Sequence, residues 1–469
     1  MDESIFYIAN PCTNSASHAT SIHTSNHHIT FRASSSPRNG AYLTGFGPGE
    51  RLFTCSATKA LIEVYSWGKE GVDQRIPLPE ALNCLTVVPQ PATSLNNLEK
   101  LTKFRLPWLL VGGTASGKIY IWELASGDLV CVRDAHYQGI TAVKFSSCGT
   151  FLVTGGDDAR VIVWNIVDLL TSDVQAKPYF SITDHTLPIT DILLSESGGL
   201  IQDLRLYTTS TDCTVRVYDV ISKSLLTTFV LPYGVNCITK DPANRAIYVG
   251  LVNGLIRTIP LYTINKNTSV LESIGGLNKI ITIDNDVNLI NTFTHHNVGI
   301  TQLEISLDGT SIISGDESGV VYASDIVTKQ IIKTFTKCDS SIAYMKVDTV
   351  PKQASQGITT VDKKHRMIPP FKRVLRGSEE HNLFMDIPGP LTDDTSSFEN
   401  WIELKQQEEI EFKNLSDVAS EVKQVEDKAY NKDLELKLQR LSTVYSELRT
   451  KHELLIKDHA NLLDKVEQS

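Results

Sequence analysis

One pattern recurs through the first three quarters of this chain and restricts its fold more than anything else. A His in a turn is followed by a short apolar-alternating run, a tight turn, and a second run ending in a Thr or Ser, glycines and Asp. A third run then closes on an aromatic residue. The clearest copy starts at His136, runs from Gly139 to Ser146, turns at Cys148-Gly149, continues from Phe151 to Asp158, and closes on Val161-Ile162-Val163-Trp164. Alternation bounded by Gly, Asp or Ser predicts strands joined by tight turns. The frame returns at His185, through Tyr207-Thr208 and Asp212 to Tyr218, and at His296, through Ile313-Ser314 to Ile326. Fainter copies end at Tyr65, at Trp122 and around Ile259-Pro260-Leu261, so six repeats are visible.

Trp122 and Trp164 are 42 residues apart, within the ~40–45 that a four-stranded propeller blade occupies. On these residues the chain resembles the WD-repeat family from roughly Tyr42 to Val347. The resemblance implies a buried hydrogen-bonded network in each blade: His136, Thr154, Asp158 and Trp164 in one, His185, Thr208, Asp212 and Tyr218 in the next. His296 and Ser314 fit a third set, but in this register Ser318 stands at the Asp position and Ser324 at the Trp position. A seventh blade is expected from Ile342–Val347 pairing with N-terminal strands at Ser4–Ile8 and His28–Phe31, because ring closure removes an open sheet edge.

The chemistry that such residues suggest elsewhere is not expected here. Gly112 to Lys118 matches part of a phosphate-binding loop, but Ile119 replaces the magnesium-binding Ser or Thr and a strand follows instead of a helix. His136 with Asp158 and Thr154 has the parts of a hydrolase triad, yet its copy at His185, Asp212 and Thr208 favours buried groups satisfying one another. The pairs His27-His28 and His295-His296 lack metal-ligand spacing, and the eight cysteines contain no CxxC. No catalytic residue, metal or cofactor is therefore expected, and the cysteines are read as reduced thiols.

With 44 Lys and Arg against 54 Asp and Glu, the net charge is −10, which disfavours a whole-surface attraction to nucleic acid. Any RNA contact is expected to be local or through a partner. The start Met1-Asp2-Glu3 has no basic stretch before an apolar one, and no run approaches about 18 apolar residues. Neither secretion nor membrane spanning is expected.

Three domains are expected: an all-β, seven-bladed propeller over 1–350, a largely irregular basic linker over 351–397, and a helical coiled-coil tail over 398–469. Between Lys352 and Arg376 the linker carries seven bases and one acid, with Lys363, Lys364, Arg366, Lys372, Arg373 and Arg376 as candidate contacts for RNA or a partner; otherwise it is a solvated tether. In the tail Leu434, Leu438, Leu441, Tyr445, Leu448, His452, Leu455, His459, Leu462 and Val466 follow at alternating steps of four and three, the seam of a coiled coil. An earlier run, Leu415 to Ala429, keeps the same steps in another frame. The stripe is narrow with charged flanks, so a self-associating helix, and hence a homodimer, is favoured over a helix lying on the propeller.

Taken together, the segment Asp134 to Ser146, the unit Gly155 to Trp164 with Val167-Asp168-Leu169-Leu170, and the helical end resemble the Ipi-three family. These are the WD-repeat subunits of the fungal RIX complex, whose animal counterpart is WD-repeat protein eighteen. The resemblance implies a non-catalytic nuclear scaffold (nucleolus and nucleoplasm). Its implied partners are a helical-repeat RIX scaffold subunit, a second Ipi protein, the large-subunit pre-ribosome and the AAA ATPase midasin. The implied role is removal of the second internal transcribed spacer. A ubiquitin-ligase substrate receptor or a coat-complex subunit would share the fold and stands as the alternative.

Overall fold

A computed structural model of the chain describes residues 2–12, 15–47, 49–56, 58–88, 109–147, 149–171, 177–197, 200–264, 271–283, 291–350 and 367–375. In the tail it describes residues 402–403, 405–407, 409–410 and 436–457. The chain divides into two units, Met1–Gly389 and Pro390–Ser469.

Among the described residues the runs form seven blade sheets, antiparallel except for one parallel strand added to the fourth, and in each the inner strand is one edge of the sheet. Those inner strands are Ala41–Leu43, Leu82–Val88, Ile140–Phe145, Ile189–Ser197, Val235–Lys240, Ile300–Ile305 and Ile342–Val350. Each touches the next, and the seventh touches the first, so the ring is closed. The first unit is thus a seven-bladed WD-repeat β-propeller.

Closure uses the N-terminus. Asp2–Ala9 pairs antiparallel with Ile342–Val350, Ile5 opposite Val347, and Ala16–Ser21 and His27–Arg32 complete the blade. Ala16–Ser21 reads Ala-Ser-His-Ala-Thr-Ser and carries almost no apolar alternation, so nothing in its pattern marked it as a strand. Ile5, Phe6, Tyr7 and Ile8 are fully buried, each contributing about 1.5–3 kcal/mol through apolar area removed from water.

The repeated glycine of the second strand has a packing reason. A Cβ on Gly155 would lie 2.8 Å from Ile189 Cγ2, the first residue of the next blade. At the ring closure Gly315 meets Ile342 in the same way, at 3.0 Å. Only a residue without a side chain allows the blades so close an approach. The turn after Gly112-Gly113 is likewise a hairpin: Leu109–Thr114 pairs with Lys118–Glu123, with Gly117 at φ +83°.

Where the inner strands converge, a cavity of about 300 Å³ is lined by Tyr42, Lys144, Gln302, Glu304, Tyr344 and Lys346, among others. Lys144 Nζ lies 3.3 Å from Asp191 Oδ1. Burial pushes the Glu304 carboxyl up to about 7, Lys144 pulling the other way and Asp191 adding to the rise.

Candidate docking face and its supports

In blade three His136 Nδ1 lies 2.9 Å from Asp158 Oδ1 and Nε2 lies 2.9 Å from Thr154 Oγ1. Trp164 Nε1 donates to the same Oγ1 at 3.3 Å. Burial lowers the His136 pKa against the pull of Asp158. A neutral imidazole protonated on Nδ1 satisfies every partner in this arrangement. Buried polar groups that complete one another in this way stiffen the element that carries them.

Blade four repeats the geometry with one difference. His185 Nδ1 lies 2.9 Å from Asp212 Oδ2 and Nε2 lies 2.8 Å from Thr208 Oγ1. Burial works against ionising Asp212, yet hydrogen bonds with His185 and Thr214 hold its carboxyl well below the usual range. Tyr218 does not join this network. Its hydroxyl donates to Asp184 Oδ2 at 2.9 Å, because a phenol carries its polar atom at the ring tip, beyond the threonine that an indole N–H reaches from mid-ring.

In blade six the acid is Asp316, two residues before the Ser318 that the repeat register indicated. Asp316 Oδ2 lies 3.0 Å from His296 Nδ1, and Ser314 Oγ lies 2.7 Å from Nε2. Ser318 supports it by donating to Asp316 Oδ1 at 2.9 Å. Ser324, at the Trp position, is buried, and its Oγ has no hydrogen-bond partner.

These networks fix the loops above them. Asp158 Oδ2 accepts from Tyr137 N at 3.1 Å, and Asp212 Oδ2 from Thr186 N at 3.3 Å. The turns entering each inner strand and the turns between the second and third strands all fall on one face of an antiparallel blade. On that face Tyr137 stands 81% exposed, with Leu187, Tyr233 and Val252 also exposed. Arg160 lies over the Tyr137 ring, 4.7 Å from its centroid. The same turns of blades three to six carry the exposed acids Asp134, Asp157, Asp184 and Glu317, with Arg160 their one Lys or Arg. Over blades three to six this face is apolar, acidic and rigid, a combination suited to docking a protein surface. Position in the repeat could have located these side chains; alternation alone could not.

The basic linker is not wholly solvated. Residues 367–375 run as an irregular strap along blade two, where Ile368 and Phe371 join the core of Ile76, Leu124 and Leu129. Phe371 stacks on Trp122, centroids 5.6 Å apart. Trp122 Nε1 donates to the Lys372 carbonyl at 3.2 Å, and Lys372 Nζ lies 2.5 Å from Asp128 Oδ1. Lys372 is therefore engaged within its own chain, while Arg373 is exposed. Lys363, Lys364, Arg366 and Arg376 lie outside the described residues.

Residues 436–457 are helical. Leu438, Leu441, Tyr445, Leu448 and Leu455 are all more than half exposed along that helix; Leu434, Leu462 and Val466 lie outside the described residues. Among the described residues no cluster of His, Cys, Asp or Glu could hold a metal ion. The seven described cysteines are free thiols, and among the described residues no helix is long and apolar enough to cross a membrane.

Residues 127–165, 176–219 and 287–323 match the family described as WD domain, G-beta repeat. Over its full length the chain is similar to Pre-rRNA-processing protein IPI3 of Candida albicans, at 57% identity and with 100% of both chains covered. The corresponding protein of Scheffersomyces stipitis is 50% identical over 99% of each chain. That of Saccharomyces cerevisiae is 31% identical over 99% of this chain and 100% of its own.

Proposed function

The chain belongs to the IPI3 family of pre-rRNA-processing proteins, and from that premise we propose that it is a non-catalytic scaffold in the nuclear assembly of the large ribosomal subunit. The observation that carries this is the full-length relationship to proteins named for pre-rRNA processing, at 57% identity. The fold agrees with it. A closed ring whose most distinctive side chains lock loops in place, beneath an exposed apolar and acidic face, is built to hold partners. The same relationship disfavours a ubiquitin-ligase receptor or a coat subunit.

In this proposal the partners are a helical-repeat RIX scaffold subunit and a second Ipi protein, and through them the pre-ribosome and midasin. The acidic balance suits a protein that reaches an RNA-rich particle mainly through other proteins. The tail is proposed to pair two copies. The location is nucleolus and nucleoplasm.

Depletion should make precursor rRNA that retains the second internal transcribed spacer accumulate. A Tyr137→Ala/Leu187→Asp variant should fold with unchanged melting and lose pre-ribosomes on co-purification, since exposed substitutions rarely move stability beyond about 0.5 kcal/mol. Normal spacer processing after complete depletion would overturn the proposal. Intact co-purification by the variant would move the docking to another face.

A further inference from the structure

Among the described residues blade four carries five strands where the other blades carry four. The fifth belongs to an insertion in blade five. Between Ile256–Pro260 and Thr292–Phe293 the chain forms a hairpin, Tyr262–Ile264 with Leu271–Ser273, and then sends Lys279–Thr282 across to run parallel to Ser224–Val230. The inner side of this insertion is well satisfied. Ile281 and Ile283 pack with Val217, Phe229 and Ile259, Gly276 N donates to Thr227 Oγ1 at 3.1 Å, and Ile283 N donates to the Val230 carbonyl at 2.9 Å.

The outer side is not. Leu277 and Ile280 are 71% and 70% exposed, and Ile264 and Leu271 are exposed with them. Ordering a backbone costs about 1–2 kcal/mol per residue, and four aliphatic side chains left in water offset none of it. Soluble proteins commonly blunt sheet edges with charge, proline or a bulge; this one reads Lys-Ile-Ile-Thr and carries a single charge. Beside it a partly open cavity of about 190 Å³ is lined by Phe229, Ile259, Ile274, Ile281 and Ile283, among others. That space accommodates one bulky apolar side chain.

We propose that Lys279–Thr282, with the hairpin beside it, is a docking surface that takes an extended aliphatic segment of a partner protein as a sixth strand, anchored by one bulky side chain in the cavity. An open strand edge presents backbone donors and acceptors that an added strand satisfies and a helix does not. A second copy of this chain is a poorer occupant, because the inward side chains of its own edge segment, Ile281 and Ile283, are already packed against its own Phe229 and Ile259 and half-buried there.

Hydrogen exchange on the tagged full chain tests this, comparing the purified chain alone with the same chain in the native assemblies it captures. The amides of residues 279–283 should exchange at least about tenfold more slowly in the assembly. A Leu277→Asp/Ile280→Asp variant should lose that protection together with one specific captured protein, with melting unchanged. Equal exchange in the two states overturns the proposal, as does protection that survives in the variant. Protection that rises with concentration in the chain alone assigns the edge to a second copy and overturns it too.

Discussion

The ring of Phe371 stacks on the indole of Trp122 with planes 17° from parallel, joining a residue far beyond the last blade to the core of the second. The contact covers apolar area on both rings, and the Lys372–Asp128 pair closes one side of it. What the basic composition suggested was solvated is at this point part of the propeller.

Phe371→Ala should therefore destabilise the propeller by about 3 kcal/mol, the lower end for truncating a buried aromatic. Lys372→Gln should cost less, since the lysine is largely solvated and a glutamine amide can still donate to Asp128. Arg373→Glu, on the exposed neighbour, should stay within about 0.5 kcal/mol. Urea unfolding of the three variants checks the order; a Phe371→Ala curve superimposed on wild type would mean the strap contributes nothing.

Removal of residues 2–9 takes out the strand that links Ile342–Val350 to the rest of blade seven, and with it five buried apolar side chains from Ile5 to Ala9. Two sheet edges would then face each other across an open seam. The expected result is aggregation and loss of cooperative unfolding, followed by light scattering during a melt. A soluble truncated chain with the wild-type melting temperature would contradict it.

Much of this was legible in the chain, for identifiable reasons. Strands such as Ala41–Leu43 and Thr214–Asp219 alternate between buried and partly buried positions and lie between turn residues, so their pattern and their structure coincide. Blade-network positions depend on register as well. His136 and Asp158 fell in register, whereas Asp316 sits at the strand end and not in the turn, and Tyr218 has its polar atom at the wrong depth. The strap escaped because Ile368, Pro369, Pro370 and Phe371 have neither period, and their stability comes from Trp122, far away in sequence. Lys279–Thr282 escaped because its neighbours belong to a different repeat.

Two sets of titrating groups should tilt stability in opposite directions. His136 and His296 are held below the ordinary histidine value, chiefly by burial. The folded state thus binds fewer protons than the unfolded one, and their contribution is full above about pH 6.5 and lost as pH falls below it. Glu304 is the reverse. With its pKa raised from 4.5 to about 7, its contribution is full below 4.5 and lost as pH rises through 7. Glu304→Gln should consequently gain on wild type between pH 5 and pH 8, by about 1–3 kcal/mol. His136→Gln, though less stable overall, should show a shallower loss between pH 6.5 and 5. Denaturant melts across that range measure both, and parallel wild-type and Glu304→Gln profiles would refute the glutamate's part.

The tail prediction rests on an imbalance within one helix. Over residues 436–457 the seam side chains Leu438, Leu441, Tyr445, Leu448 and Leu455 are all mostly in water, while Arg449 and Glu453 pair along the flank at 3.2 Å. A lone helix with such a stripe has no reason to be stable, because helices draw most of their stability from packing an apolar face. Pairing two tails covers the stripe, each buried leucine contributing about 1.5–3 kcal/mol. The full chain should therefore be dimeric by light scattering at micromolar concentration. Leu441→Lys/Leu448→Lys should make it monomeric, because a lysine pair facing another at the seam must be desolvated or driven apart. The propeller should melt unchanged in that variant, since the seam positions are exposed in the single chain. A wild-type chain that stays monomeric at high concentration would sink the pairing and leave the exposed leucines to a different partner.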